Sequence, residues 1–221
     1  MKYYQLTYSI DNKEIGCFPQ SESAENYNFM LSNLSILDIN PIPVLKSKAK
    51  LTSLILSAPI TTPKLIIDDD LLFFLESFLS NNEYLSSKIK VRKGSKIFDN
   101  YNLFILLETS DKIIINYEKS IFFKGSNKDW QYKGDIVRLD NYENYMQSIK
   151  KECDNDYCLK TSLLNLDFSS IKKDLILIRN SPLIGGYFVS EKLKNNIKEK
   201  GFTGIAFKEI EEIDERIKVT Y

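Results

Sequence analysis

The sequence predicts an α+β fold, a mostly antiparallel sheet with a few capped helices packed on it. Two observations carry this prediction: short apolar runs with strand spacing fill the middle of the chain, and helical patterns are inserted between them only at intervals. A strictly parallel fold would place a helix after nearly every strand. The 221 residues suffice for a single domain, 1–221, with a loosely patterned N-terminal lobe at 1–50 and a core at 60–221.

The N-terminal part alternates and then becomes irregular. Every second residue from Tyr4 to Ile10 is apolar, which predicts a strand with one apolar face, followed by a turn at Asp11–Asn12. Between residues 21 and 65, four prolines interrupt short apolar runs, so extended segments and loops are expected to wrap over the core. The stretch 40–50 is the best candidate for a boundary between lobes.

Two segments share one pattern, a short apolar strand followed by a capping side chain and a helix with apolar residues four apart. The pattern reads Ile67, Asp68, Leu71 and Leu75 in the first segment and Val189, Ser190, Leu193 and Ile197 in the second. Gly201 is expected to end the second helix in a left-handed conformation. The two units either pack on one sheet or are two independently capped helices.

The middle of the chain reads as successive short strands with one helix after them. The strands are predicted at 88–92, 103–109, 112–117, 121–124, 129–132 and 136–139, with turns at 110–111 and 125–127. Asp140 followed by Glu143 forms a capping-box pattern, which predicts a helix to about Glu152. A fully apolar run at 175–178 predicts a buried strand that ends at Arg179.

The composition excludes several catalytic classes. The chain contains no histidine, so Ser-His-Asp, Cys-His and His-metal chemistries are ruled out, and no glycine-rich phosphate loop occurs. We therefore expect neither an enzyme nor a cofactor. Cys17, Cys153 and Cys158 are too few to close a zinc site; Asp154 and Asp156 could join the last two in an unusual metal site, but inert thiols and no metal are expected.

Thirty basic and thirty acidic residues cancel, so the sequence predicts no nucleic-acid partner and no membrane partner. The N-terminus lacks the apolar core of a signal peptide, and no apolar tract is long enough to span a bilayer, so a cytoplasmic protein is expected. The alternative is a nucleic-acid-binding module at 88–101, where five basic residues precede Phe98 and Tyr101: Lys88, Lys90, Arg92, Lys93 and Lys96.

Three ordered blocks occupy 62–68, 101–122 and 187–207. The first is Thr-Pro-Lys-Leu-Ile-Ile-Asp before a helix, and the third runs from Tyr-Phe-Val-Ser-Glu-Lys-Leu to Gly-Ile-Ala-Phe. The second contains a signature of an acidic or amide residue, an aromatic residue, Glu, Lys and Ser: Asn116, Tyr117, Glu118, Lys119 and Ser120. Together the blocks resemble a family of immunity proteins from bacterial polymorphic toxin systems, many of which are known only as domains of unknown function.

The resemblance implies a protein that neutralises one cognate toxin domain by stoichiometric binding, without a cofactor. By analogy with immunity proteins that present carboxylates to a basic nuclease cleft, we expect the C-terminal acidic tract to contact the partner, with Ile210 and Ile213 facing the core. Its five carboxylates are Glu209, Glu211, Glu212, Asp214 and Glu215. A solvated face is the alternative for this tract.

Two further assignments stay open. The signature is read as a stabilised turn, with a catalytic Glu118 as the sharper alternative. Trp130, Tyr132 and Tyr101 are read as core or hairpin residues, with interface anchors as the alternative.

Overall fold

The computed structural model describes residues 1–27, 39–126, 128–129, 131–153 and 157–221 and confirms the α+β class. Within these ranges the chain forms fourteen strands, five short α-helices and a 3₁₀ turn at Ile210–Glu212. The strands form three sheets, in which antiparallel pairs predominate.

Sheet I has six strands in the order β2-β3-β6-β7-β5-β4. Their bounds are β2 Ser21–Glu25, β3 Ile42–Leu45, β4 Leu54–Ile55, β5 Leu65–Asp68, β6 Tyr84–Lys93 and β7 Lys96–Leu106. All neighbours are antiparallel except β3 and β6. The segment 21–65, expected as extended segments and loops, therefore supplies three paired strands. The stretch 40–50, expected as a lobe boundary, contains β3, which joins β2 to the rest of the sheet.

Sheet II has the order β11-β12-β1-β13 and is antiparallel throughout. Its strands are β1 Tyr3–Tyr8, β11 Leu175–Ile178, β12 Gly186–Ser190 and β13 Ile205–Glu209. The N-terminal strand thus lies between two strands from the end of the chain. The buried strand predicted at 175–179 is confirmed as β11.

Sheet III has the order β14-β10-β8-β9. Its strands are β8 Ile121–Ser126, β9 Lys133–Val137, β10 Tyr157–Asp167 and β14 Ile217–Thr220. Strand β14 is parallel to β10, and the other neighbours are antiparallel. Strand β10 contains a register shift between Thr161 and Leu163.

The helices are α1 Asn12–Ile15, α2 Asp69–Glu76, α3 Asp111–Ile114, α4 Tyr142–Cys153 and α5 Glu191–Lys200. Both predicted caps are confirmed: Asp68 accepts from Leu71 N at 2.8 Å, and Ser190 accepts from Leu193 N at 3.1 Å. Gly201 ends α5 in the left-handed conformation. The two units do not share a sheet, however, because β5 belongs to sheet I and β12 to sheet II.

Strands β11 and β12 of sheet II and the first residues of β1 are buried on both faces, whereas the rest of β1 and β13 are partly exposed. Tyr3 packs in a core with strands of sheet III, whereas its neighbour Tyr4 packs in a core with β5, β7, α2 and α5. Residues along β11 alternate between the same two cores. A third core covers the outer face of sheet I. The predicted apolar face of the first strand is confirmed for Tyr4, Leu6 and Tyr8, but Tyr3 on its other face is buried as well, and Ile10, which was assigned to the strand, lies exposed beyond its end.

Three local predictions are also wrong. Residues 112–117 form part of α3 and a turn rather than a strand. In the range 129–132, the described residues 129, 131 and 132 do not belong to a strand, and Trp130 lies outside the described residues. The capping residue of α4 is Asn141, whose Oδ1 accepts from Asn144 N at 2.9 Å, and not Asp140. At Asp11, the predicted turn is the start of α1, which the Asp11 side chain caps.

Gly204 lies where the start of β13 approaches β4 of sheet I. Its φ is +79°, and a Cβ added there would lie 2.1 Å from the carbonyl oxygen of Leu54. Gly201 has a similar φ of +73° but no neighbouring atom within 4 Å of the same position. A side chain at Gly201 would therefore meet only the strain of a left-handed backbone, whereas a side chain at Gly204 would meet that strain and a steric clash with the neighbouring sheet.

Replacing each glycine by alanine should give different losses of folding free energy. Gly201→Ala should cost about 1–2 kcal/mol, the penalty of a left-handed backbone for an L-residue. Gly204→Ala should cost an additional ~1–3 kcal/mol, because the two sheets must shift apart. Urea unfolding of both variants measures this difference, and equal losses would contradict the close approach.

Candidate functional site

The signature residues 116–120 form a turn between α3 and β8 that is fastened to β10. Asn116 Oδ1 accepts from the backbone N–H of Lys119 at 3.1 Å, and Ser120 Oγ donates to the carbonyl of Asn116 at 2.7 Å. Asn165 on β10 completes the turn: its N–H donates to Ser120 Oγ at 3.0 Å, and its side chain donates to the carbonyl of Lys119 at 2.5 Å. The side chains of Asn116 and Ser120 thus satisfy local backbone groups.

Tyr117 is the buried member of the signature. Its ring packs against Phe122 and Tyr145, with centroids 6.3 and 5.7 Å away. Its hydroxyl is buried and has no hydrogen-bond partner among the described residues. Burial, followed by smaller effects that include Tyr145 and Asp111, raises the pKa of this hydroxyl above its ordinary value.

Glu118 projects from this turn between two adjoining grooves, each of about 410 Å³. The two grooves share Tyr117, Glu118 and Asp140 in their walls. The first groove, which we call the Glu118 groove, also takes walls from α3, the start of α4 and the end of β10. Glu118 and Asp140 are both exposed.

The Glu118 groove is lined mainly by acidic and uncharged polar side chains. Its carboxylates are Glu118, Asp140, Glu143 and Asp167, and its one lysine is Lys112. Lys112 Nζ donates to Glu143 at 2.6 Å, which lowers the pKa of Glu143 and raises that of Lys112. Asp167 accepts from the hydroxyl and N–H of Ser169, and these bonds lower the pKa of Asp167. The charges of Glu118 and Asp140 are left without a partner among the described residues.

The C-terminal acidic tract lies on β13, the 3₁₀ turn and the approach to β14. Ile210 is fully buried and Ile213 packs partly against the same core, as predicted. Glu211, Glu212 and Glu215 are exposed. Two of the five predicted residues are paired with cations, Glu209 with Lys2 at 2.9 Å and Asp214 with Arg216 at 2.6 Å. Arg216 also lowers the pKa of Asp214 to about 2.

Glu211 of the tract is connected to the wall of the Glu118 groove through Tyr221 and the end of β10. Tyr221 donates from its hydroxyl to Glu211 at 3.2 Å, and its ring stacks on Phe168 with centroids 5.9 Å apart. Phe168 directly follows Asp167, a wall residue of the groove, and Asp167 pairs in register with Thr220. We refer to the groove and tract together as the acidic surface, defined by Glu118, Asp140, Glu211, Glu212 and Glu215.

The basic segment 88–101 forms most of the β6–β7 hairpin. Lys88 pairs with Asp69 and Arg92 pairs with Glu25. Lys90 and Lys96 are exposed, and Lys93 is partly exposed. Tyr101 is only 3% exposed and donates to the carbonyl of Thr52, and Phe98 packs against the core of sheet I. Two of the five basic side chains are thus engaged in ion pairs, and the two aromatic rings are packed in the core, so part of the predicted nucleic-acid surface is not available for contact.

Several other candidate residues have definite positions. Tyr132 is 41% exposed, whereas Trp130, Asp154 and Asp156 lie outside the described residues. Cys17 and Cys158 are free and partly exposed. In the part of the chain that the structure describes, no group of three or more Cys, Asp or Glu side chains is arranged to hold a metal ion. In the same residues, none of the helices has the length and apolar character that crossing a membrane requires.

No protein-family model matches the chain, and no curated protein matches it at a significant level.

The unpaired hydroxyl of Tyr117 can be tested against the paired hydroxyl of Tyr187. Tyr117→Phe removes a buried group without a partner, so the free energy of unfolding should stay unchanged or rise by up to ~1 kcal/mol. Tyr187→Phe should lower it by about 1–3 kcal/mol, because the Tyr187 hydroxyl donates to Pro63 O at 2.6 Å and accepts from Leu106 N at 3.2 Å. Denaturant unfolding of both variants measures this contrast, and a comparable loss in Tyr117→Phe would show that its hydroxyl is satisfied.

Proposed function

We propose that this protein is a cytoplasmic immunity protein that neutralises a cognate bacterial toxin domain by stoichiometric binding. The observation that carries the proposal is the acidic surface, where Glu118 and Asp140 line both grooves beside the signature turn and Glu211, Glu212 and Glu215 lie exposed on the C-terminal tract. The three sequence blocks that resemble immunity proteins support the same function. The signature turn belongs to the second block and forms part of this surface.

The chemistry of the acidic surface indicates the kind of partner. Carboxylates without cationic partners repel one another, and a surface rich in lysine and arginine relieves that repulsion on contact. Toxins that act on nucleic acid carry such basic surfaces in their clefts, because they hold a phosphate backbone. Occlusion of a basic cleft needs neither a cofactor nor a chemical step, only a complementary surface on a rigid scaffold.

Co-expression with the toxin domain encoded next to the gene of this protein tests the proposal. Cells should survive when this protein equals or exceeds the toxin in amount, and the two should co-purify as a one-to-one complex. Death of cells that contain both proteins in equal amounts, without complex formation, would overturn the proposal.

Neutralising the exposed C-terminal acids should slow complex formation. In the triple variant Glu211→Gln, Glu212→Gln and Glu215→Gln, the association rate at low salt should fall roughly three- to tenfold, and its dependence on salt should weaken, because peripheral charges act mainly on encounter. Stability should change little, since exposed charges contribute at most about 1 kcal/mol each. Stopped-flow or surface-based kinetics measure the effect.

A matched control separates local from overall charge. Asp70, Asp99 and Glu199 are exposed acids on α2, β7 and α5. Replacing them by Asn, Asn and Gln changes the net charge by the same amount away from the acidic surface, and the association rate should then stay close to wild type. Equal rates for both triple variants would show that the tract is only a solvated face.

The second candidate function is a carboxylate-dependent enzyme acting on the toxin or its product. The observation that favours it is that Glu118 and Asp140 line both grooves. In such an enzyme, Glu118→Gln should abolish protection while keeping the shape of the side chain, and wild-type protein should protect at substoichiometric amounts.

Stoichiometric binding predicts a different dose response for the same variant. Glu118→Gln should then protect at a one-to-one ratio with at most a modest shift, as should the control Glu199→Gln on the exposed face of α5. Titration of each variant against a fixed amount of toxin measures the ratio. A strict one-to-one requirement in wild type removes the enzymatic alternative.

A further inference from the structure

A pocket of about 390 Å³ lies at the ends of β11 and β12, and its wall residue Asn180 donates to the hydroxyl of Tyr142 in the wall of the Glu118 groove at 3.0 Å. Three segments form it, the residues before β5, the residues after β11 and the first residues of β12. The wall includes Thr62, Pro63, Arg179, Asn180, Gly185 and Gly186. Among the described residues that line this pocket, none carries a carboxylate.

Two cations meet at this pocket. Arg179 lies in the wall and its side chain is exposed, so its guanidinium can reach a bound molecule. Lys64 follows the wall residue Pro63 and is only 7% exposed. Burial lowers the pKa of Lys64, and the positive charge of Arg179 lowers it further. The pocket thus has Arg179 in its wall and Lys64 directly beside the wall residue Pro63.

The nearest buried acid, Asp111, is engaged with the main chain. Its carboxylate accepts from the backbone N–H of Arg179 at 3.0 and 3.1 Å and from that of Asn180 at 2.8 Å. These bonds hold the segment after β11 in place without an ion pair to the Arg179 guanidinium. Asp111 thus positions Arg179 and leaves its side chain available.

The opposite wall exposes backbone rather than side chains. Gly186 has a φ of +102°, which favours glycine, and Gly185 is exposed. Gln5 fixes this wall by donating from Nε2 to the carbonyl of Gly185 at 2.8 Å. A molecule in the pocket can therefore approach the main chain closely on one side and the Arg179 guanidinium on the other.

We propose that this pocket binds the phosphate or carboxylate group of a small molecule, with Arg179 as the principal contact. A guanidinium donates two parallel hydrogen bonds to either group, and the buried ammonium of Lys64 adds charge from behind the wall. The exposed guanidinium of Arg179, with no carboxylate among the described lining residues, attracts an anion and repels a cationic ligand. The site shares no lining residue with the two grooves of the acidic surface, although Asn180 hydrogen-bonds to Tyr142 in the Glu118 groove.

Titration of ¹⁵N-labelled protein with inorganic phosphate, and separately with acetate, tests the site at constant ionic strength. The amide signals of Asn180, Gly185 and Gly186 should shift with a saturable dependence for at least one of the two anions. The anion that saturates at lower concentration identifies the preferred group. The absence of saturable shifts with both anions would overturn the proposal.

Two arginine variants provide the matched comparison. Arg179→Gln should weaken anion binding roughly tenfold or more, because it removes a charged hydrogen-bond donor. Arg138→Gln makes the same change at an exposed arginine in the wall of the second groove and should bind like wild type. Equal binding by Arg179→Gln and wild type would overturn the assignment of Arg179. An equal loss of anion binding in both variants would show that the anion responds to the overall charge of the protein, and it would overturn the proposed site.

Discussion

The rest of the structure depends on sheet II, whose strands β11 and β12 and first residues of β1 are buried on both faces. Its strands send consecutive side chains, such as Tyr3 and Tyr4, into two different cores, and those cores hold sheet III on one side and sheet I with α2 and α5 on the other. Full burial of one such side chain stabilises the fold by about 1.5–3 kcal/mol, so both cores depend on strand β1 and its neighbours. Since β1 pairs with β12 and β13, the first and last parts of the chain must come together before either core is complete.

The contacts that hold the fold together do not involve the exposed carboxylates of the acidic surface. The signature turn is fastened to β10 by backbone and amide groups, and the paired acids of the tract, Glu209 and Asp214, hold the ends of β13 and the approach to β14. The carboxylates of the acidic surface make no ion pair with any described residue. The fold can therefore keep the shape of this surface while its carboxylates stay available to the proposed partner.

The elements that could be predicted from the sequence are those whose signals are local. Ser190 and Gly201 mark the ends of α5 because capping and left-handed geometry depend on adjacent residues alone. Strand β10 was missed because a register shift near Ser162 breaks the two-residue period, so that Thr161 and Leu164 are buried although they are three residues apart. Helix α3 was taken for a strand because its two isoleucines and the Ile115 that follows them favour strands, whereas the buried carboxylate of Asp111 fixes the helix start through contacts 68 and 69 residues away.

The candidate sites also combine features with a local sequence signal and features that depend on residues far apart in the chain. The outward direction of the C-terminal acids followed from the positions of Ile210 and Ile213, but the pairing of Glu209 with Lys2 depends on the register of β1 against β13 and has no local signal. Likewise, Arg179 and Lys64 are 115 positions apart in sequence and meet only because sheets I and II pack together. Acids that pair, such as Asp214, are constrained by the fold. Exposed acids such as Glu212 are free to change with a partner at little cost in stability, so specificity at this surface can diverge while the scaffold stays the same.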